Sequence, residues 1–500
     1  MISELPIPVP PEKMSLKRIT AQDLYNYTKC LHRVYLDSNG DPAEKSEVSS
    51  FVKLLWEVGL QTERDYISSL GDQAVVDLQT LPVEPAFQET LLAMEQGAPL
   101  IYQGCLMHGQ FVGRPDLLVK RDSGVSRFGE FLYEPIDIKA GKGWEESESK
   151  KRKFKEHYAF QVLFYRLLLE KIQGAVPAGG RIINVEKQIE EFDPTQFEDR
   201  FEQALETVQQ LVSGAESSEP VLGSHCTMCG WFARCYRWVS DQSDPTGLFF
   251  VGKQKFAMKA VGLRTIADIA EMEVEDFLSP PRKIPRMGKV SLERMKTRAQ
   301  VALQGKPVIR PGYVFPVVDQ EIYFDIEDDP TRGVVYLFGY VICEPGRPAR
   351  YDYLWAERPE DEEQTVRAFW TFVQSCGNVV FYVYSHKERT TLKQLMERYG
   401  LDGETFEIYK AKEYDLYQQL IVDYSDWPTF SYGIKHVAKW IGFQWRDLDP
   451  SGANSIAWYN EYLNDPANPR LRQRIVDYNE DDCYAMLAIK RYFEHHRPNE

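Results

Sequence analysis

Five hundred residues exceed what one hydrophobic core holds, so two or three domains are expected. An apolar fraction of 43% beside 27% charged residues excludes the low-complexity and disordered classes, and no apolar run reaches the length of a membrane span. The net charge of −16 is wrong for a uniformly basic nucleic-acid binder, but net charge speaks to solubility and leaves local sites open.

The chain opens on Met1 to Lys17, proline-rich and polar, without a secretion pattern, and a cytoplasmic location is the expectation. Its eight cysteines then point to metal ligation or burial, not to a disulfide framework. A first segment, residues 1–245, begins with a helix over Asp23 to Leu36, capped by Thr20 with Asp23 three residues on. An amphipathic helix near 51–70 follows, then short strands between 100 and 139, a long helix from Lys151 to Ile172 and a strand over 181–187. Lys150-Lys151-Arg152-Lys153-Phe154-Lys155 is a solvated face or a phosphate track, as is Arg282-Lys283-Ile284-Pro285-Arg286. A short helical segment, 246–311, carries Val261-Gly262-Leu263-Arg264 and Ile284-Pro285-Arg286-Met287-Gly288; it reads equally as a helical linker and as a helix-hairpin-helix-like backbone binder. The last segment, 312–500, has strands near 321–326, 334–343 and 351–355, a helix, a strand over 379–384 and several helices. The fold class expected is α/β and multidomain.

Two acidic constellations carry chemistry. In the first, Val112-Gly113-Arg114-Pro115-Asp116 precedes Glu134-Pro135-Ile136-Asp137-Ile138-Lys139. Strand residues at i and i+2 share a face, so Asp137 and Lys139 point the same way. Two carboxylates beside a lysine suit metal-assisted phosphodiester cleavage: oxygen ligands hold a hard cation and the lysine orients water or meets developing charge. Glu63 on the early helix is a third carboxylate, and Gln161 and Tyr165 share one face of the long helix. In order, these elements resemble the RecB-like branch of the PD-(D/E)XK nucleases, with Asp137 where many relatives carry Glu. The resemblance implies a restriction-endonuclease-like domain, Mg²⁺ or Mn²⁺ at Glu63, Asp116 and Asp137, and roles for Lys139, Gln161 and Tyr165 in contacting DNA or ordering the metal site.

Cys226, Cys229 and Cys235 form one compact group, and Cys30 lies far upstream. Four thiolates suit a [4Fe–4S] cluster or a structural Zn²⁺, which spacing alone does not separate, with His225 as an alternative ligand. One cysteine before and three after the nuclease motifs resembles the iron–sulfur variants of this branch, which implies the cluster, in a structural role.

In the second constellation, Ile322-Tyr323-Phe324-Asp325-Ile326-Glu327 puts Asp325 and Glu327 on one strand face, with apolar residues on the other. Tyr478 and Asp482 stand at i and i+4 on a late helix, and Tyr384-Ser385-His386-Lys387-Glu388 follows a strand into a helix. These residues resemble the DEDD exonucleases of the RNase H-like superfamily, and their YprB-type branch above all. The resemblance implies two metals held by Asp325, Glu327, Glu388 and Asp482, with Tyr478 orienting water. Glu388 replaces the usual Asp, and Asp481 would substitute for Asp482 were the helix register one residue off.

Both halves in this order are similar to a prokaryotic family of RecB-like nucleases fused to an RNase H-like domain. That implies hydrolysis of single-stranded or branched DNA, rather than RNA, in repair, recombination or defence against mobile elements. A helicase partner is implied as a separate chain, because no Gly-x-x-x-x-Gly-Lys-[Ser/Thr] phosphate loop occurs here. The rival readings are RNA processing from the 3′ end by the C-terminal domain, and a nucleic-acid-binding scaffold whose centres no longer cut.

Overall fold

A computed structural model of the chain describes residues 17–71, 73–146 and 152–498. Lys150 and Lys151 of the first basic stretch lie outside the described residues, as does all of the N-terminal segment before Lys17. Two compact units emerge. The first holds the chain through Glu47, Trp56–Pro220 and Cys229–Ala233; the second holds Val48–Leu55, Val221–Met228 and everything from Arg234 onward.

The first unit is built on a six-stranded mixed sheet in the order Ile189–Phe192, Gly180–Ile183, Leu132–Ile138, Leu117–Arg121, Leu100–Tyr102, Val75–Asp77. Strand Leu132–Ile138 is buried at every residue, antiparallel to Leu117–Arg121 on one side and parallel to Gly180–Ile183 on the other. A strand covered on both faces stops alternating and reads as a continuous apolar run. Here Glu134 and Asp137 interrupt that run. Helix Glu156–Gln173 covers the sheet through Phe160, Val162, Phe164, Leu168 and Leu169, all at 1% exposure or less, and ends at Gly174 in the left-handed region with φ 70°.

This helix begins later than its periodicity predicts. Arg152–Phe154 is instead a strand, paired antiparallel with Trp144–Glu146. Strand Gly180–Ile183 likewise stops early, because Asn184 turns the chain by accepting the backbone N–H groups of Glu186 and Gln188. The single helix expected over Asp23 to Leu36 is two, Ala21–Lys29 and Leu31–Asn39, broken where Cys30 is extended with φ −159°. Its cap is as read: Asp23 accepts the Thr20 backbone N–H at 2.8 Å.

The second unit carries a five-stranded sheet in the order Arg350–Trp355, Val334–Cys343, Gln320–Asp329, Val379–Val383, Glu413–Asp415. The first three strands are antiparallel neighbours and the last two join in parallel. Ile322, Phe324 and Ile326 pack on one face of the central strand, with Phe369, Phe381 and Tyr409. Tyr323 packs on the other face, toward helix Pro469–His495. Residues 248–299 have a small apolar core of their own around Met258, Ile269, Phe277 and Leu292. Helix Lys289–Gln304 is tied into the unit at Asp426, a fully buried carboxylate that accepts from Arg298 at 2.9 Å and Arg310 at 2.5 Å. Pairing both oxygens offsets the cost of burying that charge.

Candidate functional site

The central strand of the second unit ends in carboxylates. Asp325 and Glu327 follow Tyr323 on one face, and a register shift between Glu327 and Asp328 marks a bulge directly after them. Helix Pro469–His495 lies against this face, and Gly339, the partner of Asp325 across the sheet, permits the close approach. A Cβ at Gly339 would stand 1.7 Å from Asn479 Oδ1. Asn479 is thereby placed to donate to Asp325 Oδ2 at 2.8 Å and to accept from the Tyr351 hydroxyl at 2.9 Å.

Three residues after Asn479 on the same helix, Asp482 completes the group. Ligand oxygens of Asp325, Glu327 and Asp482 all lie within 4.8 Å of one another, the one such triad among the described residues. Burial, and then the charge of Asp482, holds the Asp325 carboxyl at about 7. Burial and the neighbouring Asp325 raise Glu327 well above the carboxylate range. Glu388, in the first turn of helix Lys387–Tyr399, is buried and raised in the same way by burial and Asp325, and its Oε2 has no hydrogen-bond partner. Three converging oxygens are a donor set that fits hard divalent cations, while Glu388 stands outside that triad.

Counter-charge surrounds the group. Lys435 pairs with Asp482 and donates to the Tyr478 hydroxyl at 2.9 Å, Trp445 Nε1 donates to Asp482 at 2.7 Å, and Lys387 pairs with Asp328 at 2.6 Å. Asp481 faces elsewhere, accepting from the Arg446 backbone N–H at 2.7 Å and its Nε at 2.9 Å. It is Asp482, and not Asp481, whose oxygens meet those of Asp325 and Glu327. Lys435, Trp445 and Asn479 were not singled out from sequence. Asn479 sits inside the Tyr478–Asp482 string, and its amide donates to Asp325.

The acidic group of the first unit is arranged differently. Asp116 Oδ2 accepts the Ile138 N–H at 2.7 Å, which pins it beside Asp137 on the neighbouring strand. Asp137 pairs with Lys139 at 2.7 Å, and Lys139 donates to Gln161 at 3.0 Å. Burial alone would lower the Lys139 ammonium; Asp137 and Asp116 outweigh it and the net shift is upward. Asp116 is raised well above the carboxylate range by burial, then by Asp137 and Glu63. Tyr165 packs against Gly113, and its phenol is raised by burial, then by Asp137, Asp116 and Glu63.

Glu63, on helix Ser50–Ser69, reaches the group through a residue that sequence reasoning missed. Gln103 Nε2 donates to Glu63 at 3.2 Å and to Asp116 at 2.8 Å, while the Tyr102 hydroxyl donates to Glu63 at 3.3 Å. Gln103 is left-handed at φ 54°, uncommon for a side chain of its kind, and its N–H is anchored on the Asp116 carbonyl at 2.8 Å. Donors that bridge two carboxylates hold them together against their own repulsion.

Cys30 and Cys229 fall in the first unit and Cys226 and Cys235 in the second. The Cys30 thiol is pushed up by burial and, further, by Cys229. Within the second unit, short helices at Gln254–Ala260 and Ile266–Glu271 flank Val261-Gly262-Leu263, with Gly262 at φ 97°. Among the described residues, no helix is long and apolar enough to cross a membrane.

A fold with one buried acidic-lysine centre on a mixed sheet, and a second acidic centre on an RNase H-type sheet order, defines a chain with two nuclease-type domains. Comparison places each half. Residues 27–236 match the PD-(D/E)XK nuclease superfamily and residues 322–494 match the RNase H superfamily, so the chain carries one domain of each. No curated protein matches the chain. A solved family B DNA polymerase from the hyperthermophilic archaeon Pyrobaculum calidifontis is similar at 18% identity. The likeness spans 37% of this chain and 25% of the polymerase, with a TM-score of 0.28, too slight to bear on function.

Proposed function

We propose that the protein is a metal-dependent nuclease that hydrolyses phosphodiester bonds of single-stranded or branched DNA through both acidic centres. The observation that carries this reading is the convergence of Asp325, Glu327 and Asp482 within 4.8 Å of one another. Mg²⁺ or Mn²⁺, held by these residues and Glu388 and, in the other half, by Glu63, Asp116 and Asp137, would supply activated water and neutralise charge on the phosphate. Around it, Lys435 fixes the Tyr478 hydroxyl and the Asp482 carboxylate together, which orients a water-binding phenol toward the acidic cluster. Lys139, already ammonium and already anchored by Gln161, offers a positive charge beside Asp137 without reorganising.

In this reading the chain divides at 1–245, 246–311 and 312–500, with the middle helices assisting backbone binding. Cys30, Cys226, Cys229 and Cys235 hold a structural [4Fe–4S] cluster, with Zn²⁺ as the alternative occupant. A separate helicase would supply unwound DNA, and the setting is DNA repair, recombination or defence in the cytoplasm. The test is cleavage of end-labelled single-stranded DNA and RNA of one sequence with Mg²⁺ or Mn²⁺, by wild type, Asp137→Ala and Asp325→Ala. DNA cutting that each substitution slows is expected. Preferential loss of RNA, or DNA binding without any cutting, overturns the assignment.

A further inference from the structure

Beside the second acidic centre lies a cavity of about 550 Å³, within the range of small-ligand sites. Its walls include Phe249, Phe250, Tyr384, Tyr417, Phe430 and His436. Two of its elements also hold the acidic centre. Tyr384 and Ser385 lead into the helix that begins at Lys387 and carries Glu388. His436 is the immediate neighbour of Lys435, which pairs with Asp482. The Tyr384 hydroxyl donates to the Tyr432 carbonyl at 2.7 Å and locks these two elements together.

The lining chemistry is selective. Among the described residues, it contains no lysine, arginine, aspartate or glutamate. His436 is held below its ordinary value by burial and by Lys439, so it too is uncharged near neutral pH. A phosphate or a cation would find no complementary charge there; a neutral, planar group with polar edges would find rings and hydroxyls. The wall is braced, since Phe249 stacks on Tyr432 at 3.9 Å and the Arg298 guanidinium backs Phe249 at 5.2 Å. Phe250, by contrast, is 67% exposed and left-handed at φ 69°, a conformation few side chains adopt. A strained backbone that turns an aromatic ring toward water at a cavity mouth suits a stacking surface and serves no core.

We propose that this cavity receives an unpaired nucleobase of the single strand whose phosphodiester lies at the Asp325–Glu327–Asp482 cluster, stacked on Phe250. The inference rests on the nuclease reading and adds a base-binding subsite to it. Aromatic stacking tolerates every base, so the subsite selects unpaired nucleotides without selecting sequence.

The experiment is titration of the full chain, in EDTA, against single-stranded oligodeoxynucleotides carrying 2-aminopurine near either end, or an abasic residue at the same place. Wild type is expected to quench the fluorophore at one of the ends and to bind the base-containing strand about tenfold more tightly than the abasic one. Phe250→Ala should lose both effects, and Phe250→Trp should keep them. If wild type cleaves DNA but shows no quench and no preference over the abasic strand, the subsite is refuted while the nuclease reading stands. If wild type quenches and Phe250→Ala does not, but no cleavage occurs, the subsite stands and the nuclease reading falls.

Discussion

Replacing Gly339 by alanine probes the contact that positions Asp325. The new Cβ would sit 1.7 Å from Asn479 Oδ1 and 2.6 Å from the Tyr351 hydroxyl, so the Asn479 amide must leave its place. With it go the donation to Asp325 at 2.8 Å and the acceptance from Tyr351 at 2.9 Å. Overpacking of this kind costs about 1–3 kcal/mol, and leaving the buried partners unsatisfied costs roughly as much again. A total of about 4 kcal/mol corresponds to roughly a thousandfold faster amide exchange in strands Gln320–Asp329 and Val334–Cys343. Hydrogen exchange read by mass spectrometry gives that number directly. The pairing predicts non-additivity: adding Asn479→Ala to Gly339→Ala should recover at least about half of the loss, because the clash partner is gone. Unchanged exchange in Gly339→Ala, or strictly additive losses in the double variant, would refute the proposed geometry.

Protonation offers a second test. The Asp325 carboxyl titrates near 7 in the folded chain against an ordinary value of 3.8, and Glu327 and Glu388 are raised as well. The native state therefore binds protons that the unfolded chain has released, so the metal-free second unit loses stability as pH rises from about 4 through 7. Thermal unfolding in EDTA should show a midpoint lower at about pH 8 than at about pH 5, and Mn²⁺ should restore it chiefly at the higher pH; a midpoint that rises with pH contradicts the assignment. Lys139→Met strands the buried Asp137 without its counter-charge, and a loss of about 3–5 kcal/mol is expected in denaturant unfolding of the first unit. Gln103→Ala removes the donor shared by Glu63 and Asp116; measured in an Asp325→Ala background, residual DNA cleavage should fall about 10–100-fold, the worth of such charge-assisted bonds.

The residues that announce themselves in sequence are those whose type conflicts with their surroundings. Asp325 and Glu327 interrupt an apolar strand at period two, and Asp137 interrupts another, so both strands and their acidic faces are legible in the sequence. Tyr478 and Asp482 obey the helical i, i+4 rule and were readable for the same reason. Gln103 leaves no such trace: its role comes from a left-handed turn that aims an ordinary amide between two distant carboxylates. Lys435 and Trp445 likewise reach Asp482 through long-range packing that no spacing encodes. Gly339 was a missed signal, a glycine within an apolar strand, where close approach of another backbone or side chain is the usual reason. The start of the long helix was misplaced because Arg152–Phe154 pairs with Trp144–Glu146, a hairpin partner that basic composition does not reveal.

Counting manganese on the protein reaches the core of the account. Equilibrium Mn²⁺ binding followed by electron paramagnetic resonance should resolve two classes of site in wild type, of which Asp325→Ala removes one and Asp137→Ala the other. A double variant that still binds as much Mn²⁺ as wild type would contradict it.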